Sequence, residues 1–182
     1  MAHCIMTEYR RNFIKGGSYF FTVALADRRQ QLLVDHIDAL RGAFRRVKAL
    51  YPFTIDAIVI LPERLHCIWT LPEGDANYPE RWRRIKAVFS RSLTDSNYRS
   101  PSKILKGERG IWQRRYGEHT LRDETDWQRH IDYIHYNPVR HRHVEWVVDW
   151  PFSTFHRYVE VGVYPRDWAG SGKAGDGGFG EV

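Results

Sequence analysis

At 182 residues the chain suits one ordinary domain, and 42% hydrophobic residues with 14% Phe, Trp and Tyr can fill a packed core, which excludes disorder throughout. The 28 Lys and Arg against 22 Asp and Glu leave a formal charge of +6, favouring a polyanionic partner with nucleic acid first. The longest apolar run, residues 57–61, is far below the roughly 20 residues that span a bilayer, so no membrane partner is expected.

The N-terminal stretch has no apolar core followed by a small-residue cleavage site, so a cytoplasmic location is expected. Cys4 and Cys67 are too few for a disulfide framework or a four-cysteine zinc site and read as reduced thiols.

In chain order, residues 18–25 are aromatic and β-branched after Gly16-Gly17, which predicts a first strand entered through a turn. Asp35 then reads as the cap of a helix with Ile37, Leu40, Phe44 and Val47 at helical spacing. Residues 53–61 and 65–71 predict two strands joined by Pro62-Glu63-Arg64. Alternation in the second puts Leu65, Cys67, Trp69 and Leu71 on one face and Arg64, His66, Ile68 and Thr70 on the other.

Pro79 suits the first turn of a second helix, with Trp82, Ile85, Phe89 and Leu93 inward and the basic Arg83, Arg84, Lys86 and Arg91 mostly outward. Residues 100–110 read as a polar connection and 111–116 as a strand at the sheet edge. Asp123, Glu124 and Asp126 place negative charge in the first turn of a third helix with Trp127, Ile131 and Ile134 as its apolar stripe. Tyr133 falls away from that stripe, and Pro138 places Asn137 at the helix end. Residues 149–158 read as a docked segment, and the Gly-rich stretch 169–180 as disordered.

This order, without internal repeats, predicts an α+β fold: a ferredoxin-like antiparallel sheet with helices packed mainly on one face. Tyr133 and Asn137 are four residues apart, a spacing that puts a phenol able to attack and an amide oxygen able to coordinate on one helix face. From spacing alone, Tyr133 reads first as a half-buried helical tyrosine and His66 as a strand histidine satisfied by a neighbour. His119 and His130 are read as structural hydrogen-bonders or as helpers in proton transfer, and the basic helix as either a solvated face or a nucleic-acid contact.

Five ordered segments, Glu8-Tyr9-Arg10-Arg11, Lys15-Gly16-Gly17, Leu61-Pro62-Glu63-Arg64-Leu65-His66-Cys67-Ile68-Trp69, Tyr133-Ile134-His135-Tyr136-Asn137-Pro138-Val139 and Asp149-Trp150-Pro151-Phe152-Ser153-Thr154-Phe155-His156-Arg157, together resemble the REP-associated tyrosine transposases. The resemblance implies a domain over residues 8–160 with a C-terminal DNA-recognition segment, and an extension over 161–182. It further implies cleavage and rejoining of single-stranded DNA at repeated extragenic palindromic (REP) hairpins through a 5'-phosphotyrosine, with Mg²⁺ or Mn²⁺. By the same resemblance Tyr133 matches the nucleophile, His66 the second histidine of a metal pair and Asn137 the third ligand. Arg10, Arg11, Lys15, His156 and Arg157 are then expected DNA contacts, joined by Arg83, Arg84 and Lys86 of the basic helix.

Arg64 stands where the family pattern has the first histidine, and a guanidinium has no lone pair for a cation. Three accounts follow: cleavage is lost or reduced while recognition persists; Glu63, His119 or water restores coordination; or Arg64 contacts the scissile phosphate itself. The first is favoured. An inactive hairpin binder of DNA or RNA is the alternative, with an unrelated basic interaction protein behind it.

Overall fold

The computed structural model describes residues 11–93 and 110–168. Arg10, Cys4, residues 100–109 of the polar connection and the Gly-rich stretch lie outside the described residues.

Aromatic and β-branched side chains fill every position from 19 to 23, a run that fits a strand buried on both faces. It forms β1 (Ser18–Ala24), which together with β2 (Thr54–Ile60), β3 (Arg64–Thr70) and β4 (Gly117–Thr120) makes a four-stranded sheet of order β2-β3-β1-β4. All three pairings are antiparallel, and Thr22 lies opposite His66 in the β1–β3 register. The entry to β1 needs its glycines: Gly16 has φ 66°, and a Cβ on Gly17 would sit 2.9 Å from the Ile14 carbonyl oxygen.

A single turn, α1 (Leu32–Asp35), precedes α2 (Ile37–Leu50). Asp35 therefore ends α1 rather than capping α2; His36 holds the cap position, without a side-chain hydrogen bond. In α3 (Tyr78–Ser92) the Asn77 side chain accepts from the Glu80 amide, with Pro79 in the first turn as expected. Both helices pack on the face that carries Tyr19, Phe21, Val23, Leu65, Cys67 and Trp69, where Trp69 and Trp82 stack at 4.2 Å.

The opposite face carries Phe20, His66 and Ile68, and α4 (Glu124–Arg140) lies across it. The ferredoxin-like antiparallel sheet is thus present, with two of the three long helices on one face and the third covering the other. Residues 111–116 contribute only an isolated bridge, Leu25 to Trp112; the edge strand is Gly117–Thr120. The aromatic residues that suggested the strand pack on α3 instead, with Trp112 5.4 Å from Phe89 and Tyr116 6.1 Å from Trp82.

The 3-10 turn Val147–Asp149 and α5 (Phe155–Glu160) complete the second layer. Backbone bonds from Ile60 to the Phe152 carbonyl and from Thr154 to the Ile58 carbonyl fasten this segment to the β2 edge. No helix among the described residues is long and apolar enough to cross a membrane.

Candidate active site

Two corrections on α4 define the site. Tyr133 is 1% exposed and packs in the same cluster as Ile131 and Ile134. The stripe is wider than one lattice of apolar residues because α4 is covered twice, by the sheet on the Tyr133 side and by α5 on the side of His135, whose Nε2 is 3.1 Å from the Thr154 hydroxyl. Asn137 also sits inside the helix, which runs through Pro138 to Arg140. Proline removes one helical donor and crowds its predecessor, yet burial of Ile134, His135, Asn137 and Pro138 outweighs that local preference. His141 and His143 close the last turn by donating to the carbonyls of Asn137 and Pro138.

Strand alternation brings His66 beneath Tyr133, with ring centroids 5.2 Å apart at 80°. Phe20 touches both rings at 5.9 Å. Thr22, across the β1–β3 ladder, fixes the His66 ring through a 2.9 Å hydrogen bond between its hydroxyl and Nδ1. Desolvation, and then the charge of Arg64, hold the His66 pKa down to about 3, so the ring is neutral at physiological pH. Its Nε2 is buried without a hydrogen-bond partner, as are both Oδ1 and Nδ2 of the fully buried Asn137. Arg140, two turns beyond Tyr133, places its guanidinium carbon 5.7 Å from the centre of the Tyr133 ring.

Buried polar atoms are almost always paired, so an unpartnered imidazole nitrogen on the strand against Tyr133 and an unpartnered amide one helical turn beyond it mark a place that fits a ligand. A neutral imidazole and an amide oxygen are donors a divalent cation accepts. Arg64 adds no ligand: its Nε donates to the Glu63 carboxylate at 2.7 Å, and this pair is largely buried. Glu63 is thereby engaged with the guanidinium.

His119 belongs to a neighbouring group. Its Nε2 is 2.8 Å from Asp126 Oδ2, and its ring stacks on His130 at 4.8 Å. The ligand atoms of His119, Asp126 and His130 all lie within 4.8 Å of one another, so this trio could hold a metal ion. His130 Nδ1 donates to the Asp126 carbonyl at 2.7 Å, which leaves its lone pair on Nε2.

The expected DNA contacts are dispersed. Arg11, Arg83 and Lys86 line one cleft beside α3, while Lys15 lines another with Phe13. Arg83 and Arg84 pair with Glu80 at 2.7 and 2.6 Å. His156 donates from Nε2 to the Trp150 carbonyl, tying α5 to the segment before it, and Arg157 donates to the Asp56 carbonyl, docking α5 on β2. Thr22, Phe20 and Arg140 went unnoticed in the sequence; a lone hydroxyl within an apolar strand was the available signal for Thr22.

A buried tyrosine on a helix laid over a ferredoxin-like sheet, with a strand histidine against its ring, is the arrangement that the motifs imply for a single-tyrosine transposase. No protein-family model matches the chain. It is 51% identical over 165 residues to the REP-associated tyrosine transposase of Escherichia coli K12, covering 91% of this chain and 92% of that protein. A Haemophilus influenzae protein bearing the same family name is 46% identical over 167 residues, with 91% and 95% covered. Among solved structures, a REP-associated tyrosine transposase bound to a REP hairpin superposes with a TM-score of 0.83 at 49% identity, covering 97% of this chain and 98% of that one. The chain belongs to the REP-associated tyrosine transposases.

Proposed function

We propose that this chain recognises REP-type hairpins in single-stranded DNA and cuts and rejoins the strand through Tyr133, with cleavage reduced by Arg64. The observation that carries the reading is the buried phenol of Tyr133 set edge-on to His66, whose Nε2, like both amide atoms of Asn137 one helical turn along, lacks a protein partner. The structural relative's REP hairpin supports the substrate class.

In the proposed step the phenol oxygen bonds to phosphorus and the bond to the 3'-oxygen breaks. The strand leaves with a 3'-hydroxyl, the phenol's proton is balanced on the departing oxygen, and a 5'-phosphotyrosine remains. Attack by a 3'-hydroxyl reverses the exchange without nucleotide hydrolysis. Arg140 places a cation over the ring face. Thr22 keeps the His66 ring in one orientation, and burial keeps it neutral.

His66 Nε2 and Asn137 Oδ1 are the atoms that would hold Mg²⁺ or Mn²⁺; such an ion, when bound, neutralises charge on the phosphate. Two protein ligands leave the remaining positions to water and phosphate oxygens, a pattern these ions accept. Arg64 subtracts a ligand and adds a cation in the place of a neutral donor, which is why cleavage falls below that of a site with two histidines. Because Tyr133 and His66 are closed to solvent, the scissile phosphate enters through local opening. The transposase domain expected over residues 8–160 carries this reading, and the Lys15, His156 and Arg157 contacts expected from the motifs belong to its recognition surface.

The second reading, an inactive hairpin binder, rests on the Arg64–Glu63 pair at the ligand position. The test mixes wild type, Arg64→His and Tyr133→Phe with labelled palindromic single-stranded DNA and Mn²⁺, and looks for a covalent protein–DNA band on a denaturing gel. A weak wild-type band that strengthens in Arg64→His and vanishes in Tyr133→Phe is expected. Binding with no band in wild type or Arg64→His would establish the second reading.

A further inference from the structure

The edge strand β4 and the first turns of α4 bring together three donors that the tyrosine site does not use. Alternation along β4 puts Glu118 opposite Phe21, on the face of the α2–α3 layer, and His119 opposite Phe20, on the face that α4 covers. Asp126 and His130 are four residues apart in α4, so they share one helix face, and that face meets His119. His119 Nε2 donates to Asp126 Oδ2 at 2.8 Å. The His130 ring lies within 16° of parallel to the His119 ring at 4.8 Å, oriented by its 2.7 Å bond to the Asp126 carbonyl. One nitrogen from each ring and one carboxylate oxygen lie within 4.8 Å of one another. Among the described residues no other three His, Cys, Asp or Glu side chains converge in this way.

The donor set decides the ion. Two imidazoles and a carboxylate suit Zn²⁺, whereas Mg²⁺ asks for an octahedron of oxygens. Bare, the trio is held by the proton between His119 and Asp126. A divalent ion takes that proton's place, the proton passing to Nδ1 or to solvent, and gains His130 as a further ligand. A shift of about 1 Å draws the atoms in to Zn²⁺ distances of about 2.0–2.2 Å. The His119 side chain, 37% exposed, has room to make it, and the same exposure leaves an entry path and a fourth position for water. Asp123 and Glu124 offset the positive end of the α4 dipole, which otherwise opposes a cation. Phe20 packs against both centres, 4.7 Å from the His130 ring and 5.9 Å from His66, and neither His66 nor Asn137 is among the converging donors. We infer that His119, Asp126 and His130 form a Zn²⁺ site that clasps the sheet edge to the helix carrying Tyr133. The ion ties residue 119 to residue 130 across the β4–α4 connection and so stiffens α4 in the turn before the nucleophile. The site stands whether or not Tyr133 cuts DNA.

The test strips the protein with EDTA, removes the chelator, and titrates Zn²⁺ calorimetrically into wild type, His119→Gln, Asp126→Asn and His66→Gln. Wild type and His66→Gln should bind a tight equivalent, raising Tm by about 5–10 °C at a hundredfold excess over Kd. In His119→Gln and Asp126→Asn the affinity should fall by more than the about 10–100-fold that loss of an outer partner costs. Excess Mg²⁺ should leave the Zn²⁺ in place. Circular dichroism of the metal-free proteins checks folding. His119→Gln changes a part-exposed ring on an edge strand, so it decides the matter should Asp126→Asn not fold. Wild type that binds no Zn²⁺, or variants at 119 and 126 that bind it as tightly, would overturn the inference. Zn²⁺ lost from His66→Gln but kept by His119→Gln would put the ion at the catalytic pair, and displacement by Mg²⁺ would contradict the nitrogen ligands; either result overturns it as well.

Discussion

Replacing Asn137 by Leu keeps the branched heavy-atom skeleton and removes two buried polar atoms that have no protein partner. An unsatisfied buried polar group costs about 1–3 kcal/mol, so relief of this amide should stabilise the fold. Leu is bulkier, and overpacking at a well-filled site takes back about 1 kcal/mol, leaving a net gain of about 1–2 kcal/mol. For a chain of this size that is a rise of about 2–8 °C in Tm. The assay is thermal unfolding of both proteins with EDTA, then with Mn²⁺. At ten times its Kd the ion should stabilise wild type by about 1.4 kcal/mol. The Leu variant should lose most of that increment together with the covalent DNA band. A variant destabilised by 1 kcal/mol or more in EDTA would show that the amide serves the fold, and the ligand role inferred for Asn137 would fall.

Burial holds His66 and His135 down to about 3 from an ordinary 6.5. Between those values the unfolded chain takes up protons the folded chain refuses, so stability is complete above about pH 6.5 and falls as the pH drops, by roughly 2–3 kcal/mol per unit for the two together. Urea titrations in EDTA at pH 7, 6 and 5 measure the slope, and His135→Gln should roughly halve it. Arg81 is 2% exposed and donates to the Asn77 and Pro52 carbonyls at 3.0 and 2.7 Å and to the Asp75 carboxylate at 2.6 Å. Arg81→Met should therefore cost about 3 kcal/mol in the same titration, whereas Arg83→Met, at an exposed position, should cost under about 1 kcal/mol.

The sheet was legible wherever period 2 coincided with bulk, as in β1 and in the split of Leu65, Cys67 and Trp69 from His66 and Ile68. It failed at β4, where Gly117-Glu118-His119-Thr120 offers no apolar alternation and pairing with β1 decides the strand. Asn137 was misplaced because Pro138 speaks only for local backbone sterics, while the burial that extends α4 comes from residues far along the chain. The same cause hid the burial of Tyr133: its cover is the sheet, which a helical stripe counted along one segment cannot register. The motif resemblance selected Tyr133, His66 and Asn137. The Thr22 and Phe20 contacts depended on the β1–β3 register.

The helix that carries Tyr133 is held against the sheet from outside by residues made after it. Trp150 donates its indole N–H to the Ile60 carbonyl, Thr154 bonds Ile58 and His135, and Tyr158 and Tyr164 pack on the His135 ring. During translation the phenol is therefore synthesised before its outer wall exists. A chain halted after residue 146 should leave residues 124–140 open to protease. The outer wall of this helix is complete only once residues up to Tyr164 have emerged.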